Sequence, residues 1–371
     1  MKKIIEVSSD TNIGGAGKCL LTLLSEFDRS RYEIKVILPK NSLLKPHVEV
    51  LGVEIIEVDG IADKSLDLKV IGRLRKIIKE ENADLVHTHA SMSARIAARL
   101  AGSRIVYTRH SVFPPPRSIS AGIGKVINGM INNFLADGII AVAEAAKDNL
   151  TETGIDESKI TVILNGIKGL EAQSENTRAQ TRNRFGIAPE DKVISIVARL
   201  EDIKGHDYFI EAADKLLSEG ISAKFVIAGT GSYEEHLKEK VKSLSRENDI
   251  IFTGFIDDVN SLMNITYIQC NASYGTEATS LSLLEGMSLG IPAVVSDFGG
   301  NPGVISDGAN GFLVRKRNSD ALADGIRKLL CDSELYAAMS RRAARIFSEK
   351  FTAVAMTKQT EEFYDKIISM K

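Results

Sequence analysis

The feature that most constrains this chain is a repeated alternation of short apolar runs with longer segments of helical periodicity. The runs are rich in Val and Ile and are apolar throughout, as in strands that are buried on both faces. In the first half they lie at residues 4–7, 34–38, 53–58, 85–87, 105–108, 138–142 and 160–164. Such strands alternating with helices predict a parallel sheet that is covered by helices on both sides.

A polar stretch at residues 168–191 interrupts the alternation, and we interpret it as a linker followed by a short helix. The pattern then restarts, with apolar runs at 193–197, 223–228, 250–253, 267–270, 293–296 and 311–314. A length of 371 residues is enough for about two domains. We therefore predict an α/β protein with two doubly wound domains, residues 1–168 and 169–351, and an amphipathic helix in 352–371.

Composition argues against several classes of protein. The 47 Lys and Arg residues nearly balance the 49 Asp and Glu residues, so no nucleic-acid partner is expected. The three cysteines form no CxxC pair, which argues against a zinc ribbon or a disulfide framework and favours a reducing compartment. No apolar run approaches the ~20 residues of a membrane span, and Glu6 interrupts the core of any signal peptide. We expect a cytoplasmic protein.

Ligands of doubly wound sheets bind beyond the carboxyl ends of the strands. Gly14, Gly15 and Gly17 follow the first strand and open a helix, where free N–H groups can approach a phosphate or a sugar. A tight strand-to-helix turn explains these glycines equally well. A nucleotide-hydrolase P-loop does not fit, because Asn12 stands where the rule requires Gly and Cys19 where it requires Ser or Thr.

Three histidines follow neighbouring strands of the first predicted domain. His87 and His89 share one face of a strand end. They could ligate a metal, but no local carboxylate or thiolate completes a zinc site, so a role in packing or in a polar cleft is favoured. His110 ends the fifth strand and precedes a loop, which is where this architecture carries its chemistry. An exposed or core histidine is the alternative.

The second predicted domain carries basic and acidic candidates. Arg199 and Lys204 follow its first strand, so that a guanidinium and an ammonium group can converge on a diphosphate. Glu277 lies in a loop after a strand, and Glu285 follows inside an apolar helix that Ser280 could cap. Sugar or ribose hydroxyls would satisfy such carboxylates, and loop amides are the alternative.

These motifs together make the chain resemble the retaining glycosyltransferases of family 4, which have the GT-B fold. The resemblance covers essentially the whole chain. It rests on the order and spacing of Gly14-Gly15, His110, Asn165-Gly166, Arg199-Leu200, Lys204-Gly205, Gly229-Thr230-Gly231, Glu277, Glu285-Gly286-Met287, Gly290, Pro292 and Gly299-Gly300. It implies two Rossmann-like domains facing across a cleft, an acceptor domain and then a donor domain, with the last helix returning to the first.

The resemblance also implies metal-independent transfer of a sugar from a nucleotide-activated donor, with retention at the anomeric carbon. Arg199 and Lys204 would hold the donor diphosphate, and Glu285 would bind the ribose hydroxyls. Glu277 would hold sugar hydroxyls and steady positive charge at the anomeric carbon, and His110 would contact the donor sugar. Further donor contacts are implied for Gly15, Thr279, Ser280, Leu281, Gly299 and Gly300. No cofactor or metal is expected, and we predict a uridine nucleotide.

The acceptor implied by the resemblance is a glycan or a lipid-linked sugar, used in cell-surface polysaccharide synthesis. The apolar and basic residues 113–134 could rest on the inner face of a membrane or cover a greasy acceptor. A helix packed on its own domain is the favoured explanation of that stretch.

Two departures from the family pattern bear on the site. Ala278 stands where the family usually has Gly, and Gly303 stands where it often has Glu. Alternatives to glycosyl transfer are a non-hydrolysing sugar-nucleotide epimerase of the same fold, a P-loop-type nucleotide switch and a catalytically silent sugar-binding protein.

Overall fold

The structure, a computed structural model, describes residues 1–62, 66–89 and 91–370. The chain divides into two compact units, Met1–Ile167 with Thr352–Lys371 and Lys168–Phe351. Lys371, the last residue of the predicted C-terminal segment, lies outside the described residues. Each unit contains one parallel sheet with flanking helices, which confirms the predicted fold class.

The first unit contains a seven-stranded sheet. Its strands are β1 (Lys2–Ser8), β2 (Tyr32–Pro39), β3 (Glu54–Val58), β4 (Leu85–His89), β5 (Arg104–Arg109), β6 (Gly138–Ala141) and β7 (Ile160–Val162). They pair in the order β3-β2-β1-β4-β5-β6-β7. The direction of winding reverses between β1 and β4, so the carboxyl ends of these two strands form the expected ligand-binding edge.

The helices between these strands are α1 (Gly15–Glu26), α2 (Lys45–Val50), α3 (Leu68–Glu81), α4 (Met92–Ala101), α5 (Arg117–Ser120), α6 (Gly122–Phe134) and α7 (Glu144–Glu152). Local sequence explains several of their ends. The side chains of Asp67 and Ser91 accept hydrogen bonds from first-turn amides of α3 and α4, and the left-handed residues Asn82 and Gly102 end the same helices.

The second unit contains a six-stranded sheet in the order β10-β9-β8-β11-β12-β13, in which the winding reverses between β8 and β11. Its strands are β8 (Val193–Val197), β9 (Lys224–Ala228), β10 (Ile250–Gly254), β11 (Thr266–Asn271), β12 (Ala293–Ser296) and β13 (Gly311–Val314). Its helices are α8 (Glu175–Arg184), α9 (His206–Ser218), α10 (Glu234–Ser243), α11 (Val259–Ile265), α12 (Leu281–Ser288), α13 (Asn301–Val304), α14 (Ser319–Cys331) and α15 (Ser333–Lys350).

The last helix, α16 (Ala353–Ser369), belongs to the first unit. Phe363, Tyr364 and Ile367 enter the same apolar cluster as Ile4 on β1 and Leu20 on α1. The sheet of the first unit is therefore covered on this face by both the first and the last helix of the chain.

Two local predictions were wrong or incomplete. The short helices α2, α5, α11 and α13 were not predicted, because four to seven residues are too few to establish a helical period. The dipeptide Asn165-Gly166 is typical of a tight turn at a strand end, but it forms no turn in the structure. Gly166 instead lets the chain pass so close to the backbone of Thr352 that an added Cβ would lie 2.2 Å from its carbonyl oxygen.

Candidate functional site

At the carboxyl edge of the first sheet, polar side chains take the place of the apolar core. Glu6 on β1 lies in register with His87 on β4, and Ser8 lies in register with His89. Because alternate residues of a strand share a face, His87 and His89 both point to the side of Glu6. Glu6 is 0%, His87 1% and His89 5% exposed. A buried charge is costly unless it is paired, so this cluster needs its internal hydrogen bonds.

Glu6 accepts hydrogen bonds at both carboxylate oxygens. His87 Nδ1 lies 2.9 Å and His89 Nε2 lies 3.1 Å from Oε2, while the Tyr364 hydroxyl donates to Oε1 over 2.7 Å. Burial by itself raises the pKa of Glu6, but the charge of His87 and the hydrogen bonds from His87 and His89 outweigh it, and the pKa is lowered. Glu6 is therefore an ionised carboxylate and a pure acceptor.

His110, the predicted sugar contact, joins this cluster through His89. Its Nε2 lies 2.8 Å from Nδ1 of His89, and the two rings stack with centroids 5.0 Å apart. Burial, followed by the neighbouring His89, holds the pKa of His110 well below its usual range. Nδ1 of His110 is buried and has no hydrogen-bond partner within the described residues. His110 thus presents one nitrogen to the protein and keeps the other unused.

No carboxylate lies near His87 and His89 in the sequence, but the structure brings Glu6 to them from a different strand. The ligand atoms of these three residues lie within 4.8 Å of one another, close enough to hold a metal ion. The same atoms are hydrogen-bonded among themselves, and Nε2 of His87 also lies 2.7 Å from the Thr108 hydroxyl. We interpret the cluster as a hydrogen-bond network, which agrees with the polar role favoured for the two histidines.

At the carboxyl edge of the second sheet, loops rather than strands build the candidate site. The loops after β8, β11 and β12 contact one another through backbone groups: the Tyr274 N–H donates to the Ile203 carbonyl and the Gly300 N–H to the Glu277 carbonyl, each over 3.0 Å. Gly299 makes the second contact possible, because its φ is +58° and an added Cβ would lie 2.1 Å from the Glu277 carbonyl oxygen.

Glu277 is held by three donors that all reach the same oxygen. Oε2 accepts from the Lys204 ammonium at 3.0 Å, the Asn271 amide at 3.1 Å and the Ser273 hydroxyl at 2.9 Å. The residue is 8% exposed, and no donor to Oε1 is found in the described part of the chain. The carboxylate is therefore fixed in orientation through one oxygen while its second oxygen is available to a ligand.

The two predicted diphosphate-binding cations do not share a partner in the structure. Lys204 pairs with Glu277, whereas the Arg199 side chain is 73% exposed and pairs with Glu201 at 2.9 Å. Gly15 is the exposed first residue of α1, and an added Cβ would meet no atom within 4 Å. Both features leave room for a ligand, and the binding roles of these residues stay predictions.

The remaining predicted donor contacts lie at the start of α12 and in the loop that supports Glu277. Glu285 and Leu281 are half-buried on α12, and Thr279 is half-buried just before it. Ser280 occupies the N-cap position, but the prediction that it caps the helix was wrong, because its hydroxyl lies 3.0 Å from that of Ser282 instead. The Gly300 N–H already donates to the Glu277 carbonyl, so it is less available for the predicted contact with a ligand.

Helix α6 presents its apolar side outward. This exposed surface, the α6 face, consists of residues that are 47% to 78% exposed and follow the helical period: Ile123, Val126, Ile127, Met130, Ile131 and Phe134. The polar side faces the unit, where the Asn128 amide donates to the Thr153 carbonyl over 2.7 Å and Arg95 donates to the Asn132 side chain over 2.9 Å. Helix α6 therefore packs on its own unit, as the favoured explanation has it, but it does so through its polar side and leaves the apolar side exposed.

No described helix is both long and apolar enough to cross a membrane.

Comparison with known proteins bears on both units. The family model described as Glycosyltransferase Family 4 matches residues 13–168, and the model described as Glycosyl transferases group 1 matches residues 177–346. The N-acetyl-alpha-D-glucosaminyl L-malate synthase of Bacillus anthracis is 25% identical over 378 residues, covering 99% of this chain and 98% of that protein. The UDP-Gal:alpha-D-GlcNAc-diphosphoundecaprenol alpha-1,3-galactosyltransferase of Escherichia coli is 27% identical, covering 82% of this chain and 81% of its own length.

Solved structures agree on the fold. The crystal structure of HepE from Anabaena in complex with UDP superposes with a TM-score of 0.85 at 22% identity and covers 99% of this chain and 100% of HepE. TarM from S. aureus superposes with a TM-score of 0.76 at 14% identity over 100% of both chains. The two family models divide nearly the whole chain between them, and together with these relatives and the motifs above they show that it belongs to the family 4 glycosyltransferases of the GT-B fold.

Proposed function

We propose that this protein transfers a sugar from a UDP-linked donor, with retention at the anomeric carbon, to a lipid-linked acceptor in the synthesis of a cell-surface polysaccharide. The observation that carries the donor side of the proposal is the arrangement of Glu277. One carboxylate oxygen is fixed by Lys204, Asn271 and Ser273, while the other is available at the edge where the winding of the second sheet reverses. Such a carboxylate can bind sugar hydroxyls and stabilise positive charge as it develops.

The diphosphate leaving group gains negative charge as the bond to the sugar breaks. Lys204 lies in the loop after β8, beside Glu277, and Arg199 lies on the same loop with an exposed guanidinium. A guanidinium fork and an ammonium group can together neutralise a diphosphate without a divalent ion. Binding the donor would require Arg199 to leave Glu201, and this exchange of partners costs little because an exposed ion pair contributes about 0–1 kcal/mol.

Uridine is the base that the relatives favour. UDP is bound in the HepE structure, and UDP-Gal is named in the Escherichia coli enzyme. The acceptors named for the relatives differ, since one is L-malate and the other is attached to diphosphoundecaprenol. The donor side is thus the shared part of the chemistry, and the acceptor has to be inferred from this chain's own surface.

The test of the donor site compares two alanine variants by calorimetric titration with UDP and by transfer rates. Lys204→Ala removes a charge-assisted contact worth about 1.5–3 kcal/mol, so UDP affinity should fall about tenfold or more. His110→Ala should leave UDP affinity unchanged and lower turnover, because it removes a contact to the sugar. Loss of UDP binding in His110→Ala with normal binding in Lys204→Ala would contradict the assignment.

Three further measurements define the reaction. Transfer should survive EDTA, and activity that is lost with EDTA and restored by magnesium would show that a metal takes part. The anomeric configuration of the product reports whether the donor configuration is retained. Conversion of the UDP-sugar without an acceptor would instead identify a sugar-nucleotide epimerase.

The α6 face supports a lipid-linked acceptor. Between Phe113 and Phe134 the sequence contains Arg117 and Lys125 and no acidic residue. Apolar side chains flanked by cations are the combination that binds the surface of an anionic bilayer. We therefore propose that the α6 face rests on the membrane that carries the acceptor, on its cytoplasmic side.

Co-sedimentation with vesicles tests this contact. The double variant Met130→Ser/Phe134→Ser removes two apolar side chains that are 68% and 66% exposed, and binding to vesicles containing phosphatidylglycerol should weaken about tenfold. The matched control is Val354→Ser on α16, which is 62% exposed and lies outside the α6 face. Equal binding by wild type and the double variant, or no difference between anionic and neutral vesicles, would reject the membrane contact.

A further inference from the structure

The network of Glu6, His89 and His110 has a definite direction. An ionised carboxylate only accepts hydrogen bonds, so the nitrogen of His89 that faces Glu6, Nε2, carries a proton. In a neutral imidazole the other nitrogen, Nδ1, is then an acceptor. Nδ1 of His89 faces Nε2 of His110 at 2.8 Å, so the proton of that hydrogen bond belongs to His110 Nε2. The tautomer of His110 thus follows from a carboxylate that it does not contact.

We propose that Glu6 and His89 are positioning residues for His110, which hold its imidazole as the Nε2–H tautomer and direct the lone pair of Nδ1 toward a hydroxyl of the donor sugar. This inference rests on the proposed function, because it takes His110 as the sugar contact. The ligand chemistry is then specific: His110 accepts a hydrogen bond from a sugar hydroxyl and does not donate one to an oxygen without a proton.

Burial and strand pairing hold Glu6, His89 and His110 in a rigid arrangement. The three side chains come from β1, β4 and the end of β5, so the register of neighbouring strands fixes their spacing. Neutral His89 agrees with its environment, because burial, followed by the nearby His87, lowers the pKa of His89. Nδ1 of His110 is a buried acceptor without a partner in the described residues. A buried nitrogen of this kind is costly unless a ligand satisfies it.

His87 provides a matched control within the same cluster. It reaches the same Glu6 oxygen from the same strand, but its second nitrogen faces Thr108 rather than His110. His87→Leu and His89→Leu each remove one donor to Glu6, so both should destabilise the first unit to a similar extent. His89→Leu alone removes the partner that fixes His110.

The first experiment measures the tautomer directly, without any substrate. The chain has six histidines, so a long-range ¹H–¹⁵N correlation spectrum of protein labelled at histidine can be assigned by substitution. We expect His110 to be the neutral Nε2–H tautomer at pH 7 in wild type and in His87→Leu. In His89→Leu we expect a mixture of tautomers or the Nδ1–H form. An Nδ1–H or doubly protonated His110 in wild type, or an unchanged tautomer in His89→Leu, overturns the proposal.

The second experiment measures transfer kinetics. His89→Leu should lower kcat by about 10- to 100-fold, the loss typical when a residue that orients a metal-ligating histidine is replaced. UDP affinity should stay unchanged, because the proposed diphosphate-binding residues belong to the other unit. His89→Gln should recover most of this loss, since its amide can donate to Glu6 and accept from His110. Equal losses in His87→Leu and His89→Leu, or no recovery in His89→Gln, would show that the cluster only stabilises the fold.

The two experiments separate failure of this inference from failure of the proposed function. Suppose that His110 is the Nε2–H tautomer in wild type and His87→Leu and changes in His89→Leu, but no UDP-sugar is bound or turned over. The positioning of His110 by Glu6 and His89 is then confirmed, and the proposed function is wrong. If His89→Leu does not fold, the wild-type spectrum and the kcat of His89→Gln still decide. The proposal is overturned if His110 is not the Nε2–H tautomer in wild type, or if His89→Gln is as slow as His110→Ala.

Discussion

The two units each bury a glutamate at the edge of their sheet, and the two carboxylates are satisfied in different ways. Glu6 is on a strand, and side chains of the protein donate to both of its oxygens. Glu277 is on a loop, and its three donors all reach one oxygen. A carboxylate that is saturated by the protein can only organise its neighbours, whereas one with an unused oxygen can meet a ligand. Burial by itself therefore does not distinguish a structural from a functional carboxylate.

The largest effect is expected for Glu277→Gln, which tests whether the second glutamate meets a ligand. The amide oxygen can still accept from Lys204, Asn271 and Ser273, so the loss of stability should be limited to the weakened contact with Lys204, about 1 kcal/mol. If Glu277 lies beside the anomeric carbon, as we propose, a stabilising negative charge is lost there and kcat should fall about 100-fold or more, which corresponds to about 3 kcal/mol of transition-state stabilisation. Steady-state kinetics and urea unfolding measure the two effects. A Glu277→Gln enzyme that is as active as wild type would show that this carboxylate is structural.

The matching substitution in the first unit, Glu6→Gln, should have the opposite profile. Both oxygens of Glu6 are acceptors, so an amide would set an N–H₂ group against Tyr364 or against a histidine N–H. Loss of one charge-assisted hydrogen bond and a mismatched buried donor should lower the free energy of unfolding by about 2–3 kcal/mol. Urea unfolding measures this loss. If Glu6→Gln is as stable as wild type, the carboxylate is not the ionised anchor of the network.

The same contrast explains what the sequence could and could not predict. The strands were found because parallel strands buried on both faces are apolar throughout. His110, Lys204 and Glu277 became candidates because they follow such strands, and their binding roles stay predictions. The network around Glu6 was missed because it depends on the pairing of β1 with β4, two strands that are not consecutive in the chain. A glutamate inside an otherwise apolar strand was the available signal.

The orientation of α6 was missed for a related reason. Periodicity gives the apolar side of a helix, but it does not say whether that side faces the core or the solvent. Here asparagine side chains on the polar side bond to backbone groups of the unit, as Asn128 does to Thr153. Gly129 is buried, and an added Cβ there would lie 2.2 Å from the Gly154 carbonyl oxygen. Close packing of this kind depends on tertiary contacts that no local pattern records.

The two units also differ in their buried histidines, and this difference predicts that the folded protein loses stability in acid. His89 has both nitrogens engaged, whereas His206, which follows Lys204, is 1% exposed and neither of its nitrogens has a partner in the described residues. Burial, with a smaller contribution from the charge of Lys204, lowers the pKa of His206 to about 4. The ordinary pKa of histidine is near 6.5. Between pH 6.5 and about 4, His206 is therefore protonated in the unfolded chain but neutral in the folded protein, so the free energy of unfolding falls as the pH falls.

For His206 the loss between pH 7 and pH 5 should be about 2 kcal/mol. Urea unfolding at the two pH values measures it, with His206→Leu as the comparison. The variant should retain only the acid sensitivity of other groups, including His89 and His110, whose pKa values are also lowered. An identical pH dependence in wild type and His206→Leu would mean that His206 is protonated, or hydrated, in the folded protein.

The glycines of the two edges differ as the glutamates do, and they give the smallest expected effect. Gly299 is required by contact with the backbone of Glu277, whereas Gly15 faces open space at the start of α1. Gly15→Ala should therefore leave the free energy of unfolding unchanged or raise it by up to about 1 kcal/mol, because alanine favours the helix. If a donor phosphate or sugar approaches this backbone, the added methyl group should raise the donor KM by about threefold to tenfold, which is about 0.7–1.4 kcal/mol.

The control for Gly15→Ala is Gly17→Ala on the same helix. Gly17 is buried, and an added Cβ would lie 2.9 Å from Cδ2 of Leu44, so the leucine must shift and stability should fall slightly. Because this contact is internal, the donor KM should not change. The pair of variants thus separates the two explanations of the glycine-rich loop. If the donor KM of Gly15→Ala equals that of wild type, the glycines serve only the strand-to-helix turn.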